Sequence, residues 1–325
     1  MLEKKRMPMR DRMTRGIIYT LSSAVLYGAI PVLHASTFAY GNNALTIALC
    51  DSLGVLPVLA VIAVRRRTAM RVNGRQLLAV ALTALCGPVL ATVLLTASYR
   101  YIGIGTATAI HFMYPVMVAA LLMAVFHSRP SRRTAAALTL AVAGAMMFVD
   151  WRDRLNIIGL GLALASALCY AIYLVLIDRT SLKDMDDYKV SLYLALLAAA
   201  LLCGYGSVSG QLRLDQPLVS YLLMAAAALL GPLAAFVMLK RGIRLIGSRR
   251  ASLYCLAEPL VSLACGTMFL DEKVTWTKMV GSAVLAAALA MMSWHRRAKR
   301  RKPVQARTPA FVEPDCRRQI TTGRN

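Results

Sequence analysis

Apolar residues gather along the chain in ten runs of roughly twenty, the length at which an α-helix crosses a bilayer, and polar residues collect in the short connections between them. The runs fall at residues 16–35, 44–64, 76–98, 102–126, 133–149, 156–177, 188–208, 217–239, 251–270 and 274–294. They predict an all-α integral membrane protein with ten transmembrane helices and no room for a separate soluble domain. The stretch from Ser252 to Thr275, SLYCLAEPLVSLACGTMFLDEKVT, organises the rest. It sets a carboxylate, Glu258, beside Pro259 within an apolar run, and it ends in a charged turn, Asp271-Glu272-Lys273. An ionisable group in a bilayer is costly and so marks a functional site. The proline removes a backbone donor and prevents a plain helix through that point.

A degenerate copy of this stretch lies 144 residues upstream. At that offset Ala84-Leu85 matches Ala228-Leu229, Gly87-Pro88 matches Gly231-Pro232, Arg100 matches Arg244, Ile102-Gly103 matches Ile246-Gly247, Ala107 matches Ala251, and Pro115 matches Pro259. At an offset of 143, Gly16, Ser23, Ala24 and Tyr27 match Gly159, Ser166, Ala167 and Tyr170. The change of offset means one gap near the second or third run. The chain therefore divides into residues 16–150 and 151–294, five spans each, between a basic tail at 1–15 and a basic, disordered tail at 295–325. An odd number of spans turns the second copy the opposite way up in the membrane. The connections agree, since Arg129, Arg132 and Arg133 follow the fourth run whereas Asp271, Glu272 and Lys273 follow the ninth. Inverted repeats are a common transporter architecture, and helices broken at matching positions point to the binding site. Gly87, Pro88, Pro115, Gly231, Pro232 and Pro259 are those breaks.

Charge sets the orientation and removes one class of partner. With the N-terminus inside, 31 of the 38 lysines and arginines fall in the cytoplasmic segments and six in the outer ones. Both termini are then cytoplasmic, in a multi-pass protein of the cell membrane. The net charge of +23 would suggest nucleic acid in a soluble protein. Here it is topogenic and faces the anionic leaflet, so no nucleic acid is expected. The run Arg296, Arg297, Lys299, Arg300, Arg301, Lys302 could also bind anionic lipid. The seven cysteines form no C-x-x-C pair and have no histidines at metal spacing, and no Walker-type run is present. Neither a metal nor a cofactor is expected, and ATP-driven transport is not.

The second-half run AEPLVSLACGTMFLDEKVTWTKMVGSAVLAAALAMM, with its Glu-Pro step, its Glu272-to-Thr275 turn and the Gly281 that follows, resembles the drug/metabolite transporter superfamily, and the EamA-type permeases within it. The resemblance covers essentially the whole chain as two five-helix units. It implies a ten-helix basket that exports or exchanges metabolites by alternating access. The first half departs from the family pattern in reading Ser128-Arg129-Pro130-Ser131 at the acidic turn, and the second run carries Asp51 where family members often have a basic residue.

The candidate cargo-binding or coupling residues are Glu258, Asp51, His111, Tyr27, Tyr170, Tyr114 and Tyr254. Glu258 would exchange a proton during transport or pair with a cationic substrate; the competing view is a carboxylate satisfied by backbone freed at Pro259. Asp51 falls near the middle of the second run, and His111 a third of the way into the fourth, facing Cys255 by the repeat. Tyr27 and Tyr170 are paired by the repeat, Tyr114 corresponds to Glu258, and Tyr254 lies one turn before it. Deep tyrosines need hydrogen-bond partners, which a polar cavity or a neighbouring helix supplies. His34 reads as an interfacial histidine. The basic loop Lys240, Arg241, Arg244, Arg249, Arg250 reads as topogenic, with anion steering as the alternative. Gly281 and Ala288, matched by Ala137 and Gly144, read as close-packing positions.

A secondary transporter for small organic molecules fits these features best. The cavity inventory leans towards zwitterionic or cationic amines. An intramembrane enzyme would need a nucleophile–base or metal set such as H-E-x-x-H, which is missing. A receptor or lipid-handling scaffold remains as the alternative and would carry a membrane-facing groove.

Overall fold

The computed structural model describes residues 8–98, 101–102, 104–149, 156–269 and 275–293. The charged turn Asp271-Glu272-Lys273, Arg100, and the C-terminal tail lie outside them, as do residues 1–7 of the N-terminal tail. Among the described residues every regular element is helical. The segments are α1 Met9–Phe38, α2 Ala44–Arg65, α3 Gly74–Ser98, α4 Ile104–His111, α5 Tyr114–Ala124, α6 Arg132–Met146, α7 Ile157–Arg179, α8 Asp187–Ser209, α9 Leu218–Ile246, α10 Ser248–Cys255, α11 Glu258–Phe269 and α12 Trp276–Ser293.

Side chains fix where several helices begin. Asn43 accepts from the Thr46 N–H at 2.9 Å, and Asn73 and Gln76 form a reciprocal capping box at the start of α3. Ser131, Asn156 and Asp186 cap α6, α7 and α8 in the same manner. Each satisfies backbone donors that have no partner in the first turn.

Eight spans are long and apolar enough to cross a membrane when α4 with α5, and α10 with α11, are each taken as one. The expected fifth and tenth spans are shorter. With 15 and 18 residues, α6 and α12 rise about 22 and 27 Å, against about 30 Å of hydrocarbon. Residues expected to extend α6 leave it as tight turns, with Phe148 N–H bonded to Ala145 O at 3.0 Å and Val149 N–H to Met146 O at 3.2 Å.

The packing maps onto itself when the halves are exchanged. α1 lies against α9 and α11, and its counterpart α7 lies against α3 and α5. α2 packs on α8, and α6 on α12. Individual contacts repeat as well. A Cβ on Gly16 would meet Ile246 and Leu245; one on Gly159 would meet Ile102 and Tyr101 at the matching positions. Lys189 Nζ donates to Ala69 O at 2.6 Å, while at the equivalent positions with the halves exchanged Arg213 N–H donates to Thr46 Oγ1 at 2.9 Å. The largest buried cluster sits where the halves meet and includes Tyr114, Tyr173, Phe236, Ile243 and Cys255. Large apolar side chains such as Val61, Leu78 and Leu222 face outward, as suits a surface in contact with lipid.

Candidate functional site

Two kinds of helix break occur, each once per half. The first is a π-helical turn, at Leu85–Ala91 in α3 and Leu229–Ala235 in α9. Pro88 and Pro232 cannot donate, and an inserted residue relieves the clash with the preceding turn. The glycine before each proline admits a neighbour from the other half. A side chain on Gly87 would collide with the Tyr173 ring, and a Cβ on Gly231 would lie 2.9 Å from Ile30 Cδ1. Tyr173 and Ile30 are equivalent positions, 143 residues apart.

The second break separates α4 from α5 at Phe112-Met113 and α10 from α11 at Leu256-Ala257. In both, the chain tightens into a three-residue turn: Met113 N–H bonds Ile110 O at 2.9 Å, and Ala257 N–H bonds Tyr254 O at 3.2 Å. The next helix then starts on Tyr114-Pro115 or Glu258-Pro259, where a proline needs no donor.

A serine hydrogen bond ties each π-helical turn to the opposite half. Ser23 Oγ donates to Ala235 O at 2.8 Å, and Ser166 Oγ donates to Ala91 O at 2.6 Å. Both acceptors are the last residues of the π-helical turns, and both serines come from the opposite half. In one copy the chain of bonds continues, because His111 Nδ1 lies 2.9 Å from Ser166 Oγ.

Around these breaks the side chains form an aromatic and acidic group. Tyr170 stands 4.8 Å from Tyr114, edge to face, and 5.3 Å from both Tyr173 and His111, measured between ring centres. Glu258 is an electrostatic neighbour of Tyr27, Tyr114, Tyr170 and Tyr173. The Cys255 thiol lies beside both the Tyr114 hydroxyl and the Glu258 carboxyl. A Cβ on Gly28 would lie 2.7 Å from the Glu258 carbonyl, so α1 and α11 approach closely there. Tyr27, His111, Tyr170 and Glu258 are half-buried, while Tyr114 is fully buried. Glu258 Oε1 is buried with no hydrogen-bond partner.

Of the seven candidate residues, the structure brings five together: Glu258, Tyr27, Tyr114, Tyr170 and His111. Tyr254 is fully buried in a different cluster, with Leu253, Leu285 and Ala288. Asp51 pairs with His34, Asp51 Oδ2 lying 3.1 Å from His34 Nε2, and reaches the group only as a neighbour of Tyr27. His34 is thus a partner of Asp51. His111 bonds to Ser166 of α7, while Cys255 sits with Tyr114 and Glu258. Ser23, Ser166 and Tyr173 were missed as site residues, although both serines already stood out as a repeat match.

The basic loop has a structural role that topology alone does not convey. Asp187 at the start of α8 binds Lys240 Nζ at 2.9 Å, Arg241 Nε at 2.9 Å and Arg244 Nη2. Lys240 is fully buried and also donates to Met185 O at 2.6 Å. Arg249 donates to the Ser128 and Arg129 carbonyls of the other half. Among the described residues no three His, Cys, Asp or Glu side chains converge to hold a metal ion.

Paired broken helices around a polar centre are a common architecture of membrane transporters. The chain is a member of the EamA-like transporter family, whose model matches it twice, at residues 14–149 and 157–294. It is 27% identical to the uncharacterized transporter YcbK of Bacillus subtilis over 131 residues, 39% of this chain and 42% of that one. It is 25% identical to an uncharacterized transporter of Archaeoglobus fulgidus over 59% of this chain and 67% of that one. A third match, to the uncharacterized transporter sll1319 of Synechocystis, is 23% identical and covers 63% of each chain. The chain thus spans under half of YcbK and about two thirds of the other two. A solved crystal structure shares the fold with a TM-score of 0.71 over 86% of this chain and 96% of that chain, at 15% identity.

Proposed function

We propose that the protein is a secondary-active transporter that exports or exchanges small organic metabolites, amino acids or amines among them, by alternating access. The two halves stand inverted in the cell membrane with both termini in the cytoplasm. Cargo occupies the space between Tyr27, His111, Tyr170 and Glu258. The observation that carries this reading is Glu258 itself: a half-buried carboxyl with one unpartnered oxygen, at the first residue after a helix break. A carboxyl kept in the interior of a membrane protein without a counter-charge is retained for what it binds. It neutralises a cationic group on the cargo, and it exchanges a proton when that cargo is absent. The equivalence of the breaks supports alternation, because the halves can trade conformations around a fixed site.

Proteoliposomes loaded with labelled amino acids, amines and nucleosides test the proposal. Efflux is followed with and without an imposed pH gradient, for the wild type and Glu258→Gln. The expected result is protein-dependent flux that follows the gradient and falls at least tenfold in the variant. Flux indifferent to both pH and Glu258 removes the coupling role, and no flux of any compound removes the transporter reading.

A further inference from the structure

We infer that His111 serves the cargo site as a hydrogen-bond acceptor, so that the site selects cationic cargo by its N–H donors as well as by charge, taking primary amines and rejecting quaternary ammonium ions. The inference rests on the transporter reading above. It starts from Ser166, whose hydroxyl has one proton. The Ala91 carbonyl, 2.6 Å away, can only accept, so that proton points to it. The serine oxygen must then accept from His111 Nδ1 at 2.9 Å, and Nδ1 carries the hydrogen. In a neutral imidazole the second nitrogen, Nε2, is left as a bare acceptor.

Nδ1 is committed to the serine, so the Nε2 edge is the part of this half-buried ring left for a ligand. The ring stands 5.3 Å from Tyr170 and 5.7 Å from Tyr114, and both tyrosines are neighbours of Glu258. The second acceptor is the unpartnered Oε1 of Glu258. His111 is the last residue before one break and Glu258 the first after the other. Two acceptors that share Tyr114 and Tyr170 as neighbours call for a ligand with at least two donors. A primary ammonium has several N–H groups and a quaternary ammonium has none, although both carry the same charge. The duplication does not supply this device twice, because the residue equivalent to His111 is Cys255, a weak hydrogen-bonding group.

Two measurements on the full chain decide the point. The protein has four histidines, and the nitrogen spectrum of ¹⁵N-histidine-labelled protein in nanodiscs identifies His111 by its loss in His111→Phe. A neutral ring protonated at Nδ1 is expected at pH 7; a ring protonated at Nε2, or at both nitrogens, overturns the inference. Scintillation-proximity binding then compares labelled phenethylamine with its N,N,N-trimethyl analogue. The wild type is expected to prefer the primary amine by about tenfold, the effect of one hydrogen bond to a charged group. That preference should collapse in His111→Phe, and also in Ser166→Ala, which keeps the histidine but releases its Nδ1. Equal binding in the wild type, or a preference that survives both substitutions, overturns the inference. Saturable binding of neither amine overturns it too, and flux of another cargo in the proteoliposome assay would then leave the transporter reading standing.

Discussion

In the first half the break between α4 and α5 is flanked by His111 and Tyr114; in the second the equivalent break is flanked by Cys255 and Glu258. The backbone at the two places is closely alike, down to the three-residue turn and the proline that follows. The chemistry is not. A neutral pair faces a thiol and a carboxyl, and each half contributes what the other lacks. The same division holds at the helix ends. Asp187 and Lys240 form a buried ion pair in the second half, whereas their counterparts in the first are Ala44 and Thr96. Duplication has preserved the devices that bend the chain, because proline and glycine act through the backbone. The side chains beside those devices differ between the halves.

That contrast is broken most severely at the ion pair. Asp187→Ala leaves a buried lysine without its counter-charge and should lower stability by about 3–5 kcal/mol. Adding Lys240→Met should recover most of the loss, since the first half packs the same place without charge. Thermal unfolding in detergent reads both, and a double variant no better than the single would show that the cluster is more than a satisfied pair.

The π-helical turns come next. Gly87→Ala drives a methyl into the Tyr173 ring and should cost about 1–3 kcal/mol. Gly231→Ala presses on the flexible end of Ile30, with Tyr27 at ordinary contact distance, and should cost less than about 1 kcal/mol. Equal losses would mean that the two glycines are needed for the backbone and not for the neighbour. The serine bonds should separate more gently. Ser166→Ala removes one bond and strands His111 Nδ1, for about 2 kcal/mol, against about 1 kcal/mol for Ser23→Ala. The smallest effect should be Tyr114→Phe, within about 0.5 kcal/mol of the wild type, because among the described residues the hydrogen-bonding neighbour of its buried hydroxyl is a thiol, a weak partner. A larger loss there would place an additional partner on that hydroxyl.

Much of the helical plan was legible in the sequence, since apolar run length reports directly on a membrane-crossing helix. The breaks were legible too, because glycine and proline carry their backbone consequences wherever they stand. Run length misjudged α6: Phe148 and Val149 are as apolar as a span requires, yet they leave the helix as turns. Glu258, His111, Tyr27, Tyr114 and Tyr170 lie together around the breaks, and the repeat marks each of them in the sequence. Tyr254 was placed with Glu258 on its one-turn spacing, but the break at Leu256-Ala257 redirects it to another cluster. The Asp51–His34 pair and the Asp187 cluster join residues 17 to 57 positions apart across different helices, and neither periodicity nor charge counting reports such pairings.

The crossing of α6 and α12 has a historical meaning. A Cβ on Gly144 would lie 3.1 Å from Gly281 O, and one on Gly281 2.9 Å from Gly144 O. Their counterparts, Ala288 and Ala137, are buried in the same cluster. The contact therefore returns to itself when the halves are swapped, which is the defining property of an isologous interface between two identical chains. One five-helix unit of this kind holds, in its two small residues, the positions needed at this crossing to pair with a second copy of itself. Gene fusion of two such units asks for no new surface at this crossing, only for a linker, and afterwards each copy can drift as long as the small residues keep the two backbones close.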